Sequence, residues 1–155
     1  MIEGEIAALA AKAASPADAG ALRESVVRME AMLDDFQVRE AEDRDFHLLV
    51  ARASGNSSLE LVVEGLWNQR AGLWGRLQQH FHTHELAVQT IRDHAAIAKA
   101  IAAHDPEAAR AAMHRHLSRV VRVFQRGVDA EAGHAAAAPA SARPERPVRQ
   151  AKARA

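Results

Sequence analysis

Residues 39–54 read Arg39-Glu40-Ala41-Glu42-Asp43-Arg44-Asp45-Phe46-His47-Leu48-Leu49-Val50-Ala51-Arg52-Ala53-Ser54, and Gly55 follows. Phe46, Leu49, Val50 and Ala53 recur at three- and four-residue intervals, so the segment predicts an amphipathic helix with one stripe turned to a core. Gly55 suits the left-handed position just past a helix end, and Asn56 or Ser57 can cap the helix after it. Two polar residues share the stripe, because Asp43, Phe46, His47 and Val50 follow i, i+3, i+4, i+7. A carboxylate and an imidazole one turn apart on a core-facing surface need partners, since an uncompensated buried polar group costs about 1–3 kcal/mol and a bare carboxylate more.

Helical spacing extends in both directions. Ile2, Ile6, Leu9 and Ala13 predict a short first helix. Ser15, Pro16 and Asp18 supply a cap, a first-turn proline and an acid for a second, with Leu22, Val26, Met29, Leu33 and Phe36 as its core face. A fourth helix, about 58–79, is expected to turn Val62, Leu66, Leu73 and Leu77 inward with Trp67 and Trp74 beside them. Gly65, Gly72 and Gly75 along it suggest a bend or a close helix contact. Thr83 can cap a fifth, about 84–103, with Val88, Ile91, Ala95, Ala98 and Ile101 inward. Asp105 and Pro106 restart the chain into a sixth, about 106–126, with Ala109, Met113, His116, Val120 and Val123 on its stripe and Gly127 at its end. Beyond it Ala, Pro and Arg dominate, with no periodic apolar face. Residues 1–127 are therefore expected to form one all-helical domain and 128–155 a disordered tail.

Composition narrows the function. The 155 residues carry 20 Lys+Arg against 20 Asp+Glu, so the chain lacks the basic footprint of a nucleic-acid binder. No apolar run approaches the ~20 residues of a membrane span, and the first residues do not form a secretory signal. Zero cysteines exclude disulfides, thiolate metal sites and a cysteine nucleophile, and fit a cytoplasmic protein. The nine histidines are the informative excess. His94 is in line with Ile97, Ala98 and Ile101, and His116 stands between Met113 and Val120. With Asp43 and His47, four inward polar groups come from three helices, and one divalent metal would satisfy them all. Hydrogen bonding within the core is the alternative for each histidine taken singly. His80, His82, His84, His104, His114 and His134 fall in turns, in the tail or off the helix midlines, with His114 the nearest competitor.

Together, Asp43-Arg44-Asp45-Phe46-His47, Ala53-Ser54-Gly55-Asn56, Asp93-His94-Ala95-Ala96-Ile97, Ala100-Ile101, Asp105-Pro106, Ala108-Ala109 and Met113-His114-Arg115-His116-Leu117 resemble the FCD effector-binding domain of GntR-type bacterial transcription regulators, the FadR subfamily. The likeness spans about Glu3 to Phe124. It implies an antiparallel helical bundle with a central divalent metal, zinc first and nickel or manganese as alternatives. Matched by motif, Asp43, His47, His94 and His116 would be its ligands. A small organic acid would complete the coordination, with Arg70, Asn68, Arg39 and Asn56 as candidate contacts; a solvated arginine and a helix-capping Asn56 are the plainer roles. Leu73-Trp74-Gly75-Arg76-Leu77 is similar to members that respond to sugar acids such as hexuronates or aldonates.

The resemblance further implies a homodimer that shifts DNA-binding domains by population shift, rather than catalysis. Nothing before Glu3 can supply a winged helix-turn-helix, so the chain is expected to be a fragment of a regulator or a free-standing effector domain, making no DNA contact of its own. Two other classes compete: a metal-dependent enzyme acting on a small carboxylate, and a structural bundle with a polar core. The enzyme needs a free acid near the ligands, whereas Asp45 and Asp93 are expected to point away from them.

Overall fold

Capping places the helix boundaries. The computed structural model describes residues 1–77 and 83–137, with 71–77 and 131–137 described by helical backbone. Helix α1 is Ile2–Ala13, α2 Pro16–Ala31, α3 Phe36–Ala53, α4 Ser57–Leu77, α5 His84–Ala102 and α6 Pro106–Ala137, with no strand among the described residues. Ser15 and Asp18 form a reciprocal capping box at the start of α2. Asp35 accepts from the Val38 amide at 3.1 Å, Asn56 from Ser58 at 3.0 Å, Thr83 from Leu86 at 3.2 Å and Asp105 from Ala108 at 2.9 Å. Each cap satisfies a first-turn N–H that has no helical partner. Gly55 adopts φ +71° in the turn after α3, the conformation its position predicts.

Helix α1 packs against α6, α3 and α5; α2 packs against α3 and α5; α5 pairs with α6; and α4 leans on α3 with a lighter contact to α6. One core results, centred on Ile6, Leu22, Met29, Phe46, Val50, Val63, Ile97, Ile101 and Met113. The central position of α1 follows from its small side chains. Gly4, Ala7, Ala8, Ala10 and Ala11 are buried, and so are Ala109 and Ala112 of α6, which lets helix backbones approach closely. At Gly4 the approach is tightest: a Cβ there would lie 2.2 Å from Cδ2 and Nε2 of His114. Arg110 of α6 also reaches Glu5 of α1 at 2.9 Å, and Arg28 of α2 reaches Glu42 of α3 at 2.9 Å.

The all-helical fold, the caps of α2, α4, α5 and α6 and most of the α3, α5 and α6 stripes match expectation; α3 starts earlier than expected, at Phe36 under Asp35, and several helix faces differ. Ile2 and Leu9 are 48% and 42% exposed, because α1 buries its alanines instead. Helix α2 ends before Leu33, and Phe36 opens α3 under the Asp35 cap rather than closing the α2 stripe. In α4, Val62 and Leu66 are 41% and 44% exposed, while Val63 and Trp67 are buried, so the inward face is rotated by one residue. Ala95 of α5 is exposed. Helix α6 does not stop at Gly127 but continues to Ala137; a glycine costs about 1 kcal/mol inside a helix, which does not break it here. The side chains of Leu73, Trp74 and Leu77, together with residues 78–82 and 138–155, lie outside the described residues.

Candidate metal centre

Asp43 and His47 stand one turn apart on α3, His94 comes from the middle of α5 and His116 from α6, and each offers a ligand atom within 4.8 Å of the others. His94 Nε2 is 3.3 Å from Asp43 Oδ1, His47 Nε2 is 3.8 Å from the same oxygen, and His47 Nε2 is 3.3 Å from His116 Nε2. Ligands bound at about 2.0–2.2 Å to one ion stand roughly 3–4 Å apart, so these separations suit a shared metal. The imidazoles are buried, at 2%, 0% and 2% exposure for His47, His94 and His116. Asp43 Oδ1 and His94 Nε2 are both buried without a hydrogen-bond partner. Two unsatisfied polar atoms facing each other are costly unless something between them accepts both lone pairs. One carboxylate and three imidazole nitrogens form a donor set fit for a divalent transition metal.

Two carboxylates that sequence reasoning missed stand behind the imidazoles. Glu3, in the first turn of α1, brings Oε2 to 2.5 Å from His47 Nδ1. Burial opposes the charge on Glu3, but the adjacent His47 outweighs it and holds the carboxyl below its usual range. For His47 burial likewise opposes the proton, and Glu3 and Asp43 more than offset it. Asp93 was expected to point away; it is buried, with Oδ2 3.6 Å from His116 Nδ1. The Arg119 guanidinium holds that carboxylate and Gln89 donates to it at 3.4 Å, so the acid beside the ligands is engaged. His94 has no such carboxylate; its ring stacks on Phe46 at 4.1 Å. Burial, followed by the neighbouring His116 and His47, pushes it well below the usual histidine range, leaving it neutral with a lone pair to give. No signal in α1 or α5 alone marks Glu3 or Asp93, because each meets its histidine only through helix packing.

Beside these residues a small cleft with about 70 Å³ of interior room is lined by Asp43 and His116 together with Arg39, Arg70, Phe36 and Thr90. That interior is well short of the roughly 300–1,000 Å³ of usual small-molecule sites. The Arg70 guanidinium lies 4.0 Å over the Trp67 ring and 3.4 Å from Asp43 Oδ2. Arg39 sits 5.7 Å over Phe36, and burial holds its guanidinium below the usual range. Of the four candidate ligand contacts the structure brings Arg39 and Arg70 together at the cleft. Asn68 is exposed elsewhere on α4, and Asn56 is exposed and spent as a cap. The remaining histidines stand apart from the cluster. His84 is exposed, 3.8 Å from Asp34; His104, at φ +52°, donates from Nδ1 to the Ala11 carbonyl at 2.9 Å; and His114 packs on Gly4. His80, His82 and the His134 side chain lie outside the described residues.

Comparison with known proteins gives the family and the fold. The family model of the FCD domain matches residues 1–119. The "Uxu operon regulator" of Haemophilus influenzae is 31% identical over 128 residues, which cover 81% of this chain and 48% of that protein. The "Exu regulon transcriptional regulator" of Escherichia coli K12 is 39% identical over 77 residues, covering 48% of this chain and 30% of that protein. The chain thus spans about half the length, or less, of these relatives. Among solved structures, "E. coli McbR/YncC" superposes with a TM-score of 0.70 at 18% identity over 81% of this chain and 63% of that one, a likeness of fold. No helix among the described residues is long and apolar enough to cross a membrane.

Proposed function

The chain belongs to the FCD domain family, the effector-binding domain of GntR-type transcription regulators, and on that premise we propose that it is a metal-dependent sensor of a small organic acid. The supporting observation is the convergence of Asp43, His47, His94 and His116 from three helices onto one point, with Asp43 Oδ1 and His94 Nε2 buried and unsatisfied. These four residues would hold a divalent ion, zinc foremost and nickel or manganese as alternatives. Bound there, the ion would supply a Lewis-acidic centre with coordination positions left over for a ligand's oxygens.

The chain's own residues would do the rest. Arg39 and Arg70 put two guanidiniums on the wall of the cleft that Asp43 and His116 also line, and guanidinium forks pair well with carboxylates. Trp67 buttresses Arg70 through the ring face beneath it, restricting the side chain to orientations near the cleft. Phe36, Leu86, Ile91 and Val120 close the apolar part of the wall; the sugar-acid reading rests on the resemblance over Leu73–Leu77 rather than on this lining. A ligand that fits one arrangement of the helices better than another shifts their populations, and in a dimer of full-length regulators that shift would reach the operator-binding domains. The effector's identity and the homodimer are part of this proposal.

The test is metal content by plasma mass spectrometry on tag-free protein, beside a His47→Ala/His94→Ala variant. About one ion per chain, lost in the variant, is expected, followed by thermal upshifts with hexuronates or aldonates in the loaded protein. Absence of metal after reconstitution would return the four residues to core hydrogen bonding.

A further inference from the structure

We propose that Glu3 is the positioning residue of His47 and that, through it, the first turn of α1 is tied to the metal centre; this rests on the metal reading above. Glu3 is the second residue of α1, its side chain is 16% exposed, and its Oε2 meets His47 Nδ1 at 2.5 Å. A carboxylate on Nδ1 keeps the ring proton on that nitrogen. The lone pair is then on Nε2, the nitrogen 3.8 Å from Asp43 and 3.3 Å from His116. Glu3 therefore selects both the tautomer and the ring orientation that ligation requires, the role carboxylates play behind metal-binding histidines.

The other imidazoles are held more loosely from behind. Asp93 stands 3.6 Å from His116 Nδ1 and is shared with Arg119, and His94 Nδ1 is buried without a partner. Among the described residues His47 has the tightest outer contact, and that contact comes from a different helix. Helix α1 is otherwise seated by alanines, a glycine and Ile6, which pack closely but offer no directional bond toward the centre. The Glu3–His47 hydrogen bond is the directional link between this first turn and the ligand cluster. Loading the centre, by fixing His47, should fix that turn as well.

Two measurements test this, with zinc itself as the probe. Zinc affinity by competition with a chelating dye should fall about 10–100-fold in Glu3→Ala. It should recover most of the way in Glu3→Gln, whose amide oxygen can still accept from Nδ1. Glu5→Gln, in the same turn but paired with Arg110 at the surface, should bind as the unaltered chain does. In hydrogen exchange, zinc should slow the amides of residues 4–8 in the unaltered chain and leave them unchanged in Glu3→Ala. Undiminished zinc affinity in Glu3→Ala overturns the proposal while sparing the metal reading. So does zinc binding that leaves the exchange of α1 unaltered, a result that decides the matter even if Glu3→Ala does not fold. If the unaltered chain takes up no zinc, both fall together.

Discussion

Asp43→Asn should make the metal-free protein more stable and the metal-loaded protein less so. In the metal-free fold Asp43 Oδ1 and His94 Nε2 lie 3.3 Å apart, both buried and both without a donor. Each such atom costs about 1–3 kcal/mol. An asparagine amide at the Oδ1 position can donate to His94 Nε2 and so satisfy both at once. The losses are the attraction of the Asp43 charge for His47, 3.8 Å away, and the 3.4 Å contact between Arg70 and Asp43 Oδ2, part-exposed, some of which the asparagine oxygen retains, together about 1 kcal/mol. Taking the lower end of that cost for each atom, the balance is a gain of about 1 kcal/mol, or roughly 2–4 °C in melting temperature for a chain of this size. Zinc at a hundred times its dissociation constant would add about 2.7 kcal/mol to the unaltered protein and far less to a variant lacking its only carboxylate ligand, so the order of stabilities reverses. Scanning calorimetry in chelator and then in zinc reads both halves. A variant that melts lower than the unaltered chain in chelator, or one that gains as much from zinc, would refute the reasoning.

Three further outcomes are expected. His116→Ala should lose bound metal whereas His114→Ala should keep it, as read by metal analysis; the opposite pattern would assign the wrong histidine to the centre. Gly4→Ala should lower the urea midpoint, because a Cβ 2.2 Å from the His114 ring carries an overpacking cost of about 1–3 kcal/mol against a helix-propensity gain of about 1. Gly20→Ala in α2, where nothing lies within 4 Å of the added carbon, should add roughly 0.5–1 kcal/mol of stability and raise the midpoint. Ser15→Ala should cost about 1 kcal/mol and should also flatten part of the acid limb of stability. The Ser15 hydroxyl and then its amide hold the Asp18 carboxyl below the usual range. That contribution is complete above the ordinary aspartate pKa near ~4 and is lost as pH falls through the lowered one. An acid profile identical in the two proteins would argue against it.

How far the molecule could be read from its residues depended on where polarity fell. Asp43, His47, His94 and His116 were legible because each interrupts an otherwise apolar stripe on a helix that is clear in its own right. In α4 the same principle worked against the reading. Its inward line runs Val63, Trp67, Arg70, and the arginine, which lines the cleft, made that line look less like core than Val62 and Leu66. Helix α1 misled differently: large apolar residues stand out in a sequence, yet the face chosen for burial is the alanine face, because close backbone approach to α6 outweighs the area gained from Ile2 and Leu9. Phe36 was joined to the wrong helix because a heptad spacing continues across the Met32–Asp35 turn. Glu3 and Asp93 were out of reach for a further reason: their roles exist only between helices, and no single-helix periodicity encodes which acid will meet which imidazole.

The uninterrupted run of α6 through Gly127 alters the leverage available to the site. A helix of 32 residues is about 48 Å long, and the portion from His116 to Ala137 about 32 Å. A tilt of roughly 5° pivoting at His116 would sweep Ala137 through about 3 Å. Had the chain broken at Gly127, the arm beyond the pivot would be about half as long and the displacement would halve with it. A stiff rod anchored at a small cluster turns an angular adjustment too slight to disturb the core into a translation large enough for a neighbouring surface to register.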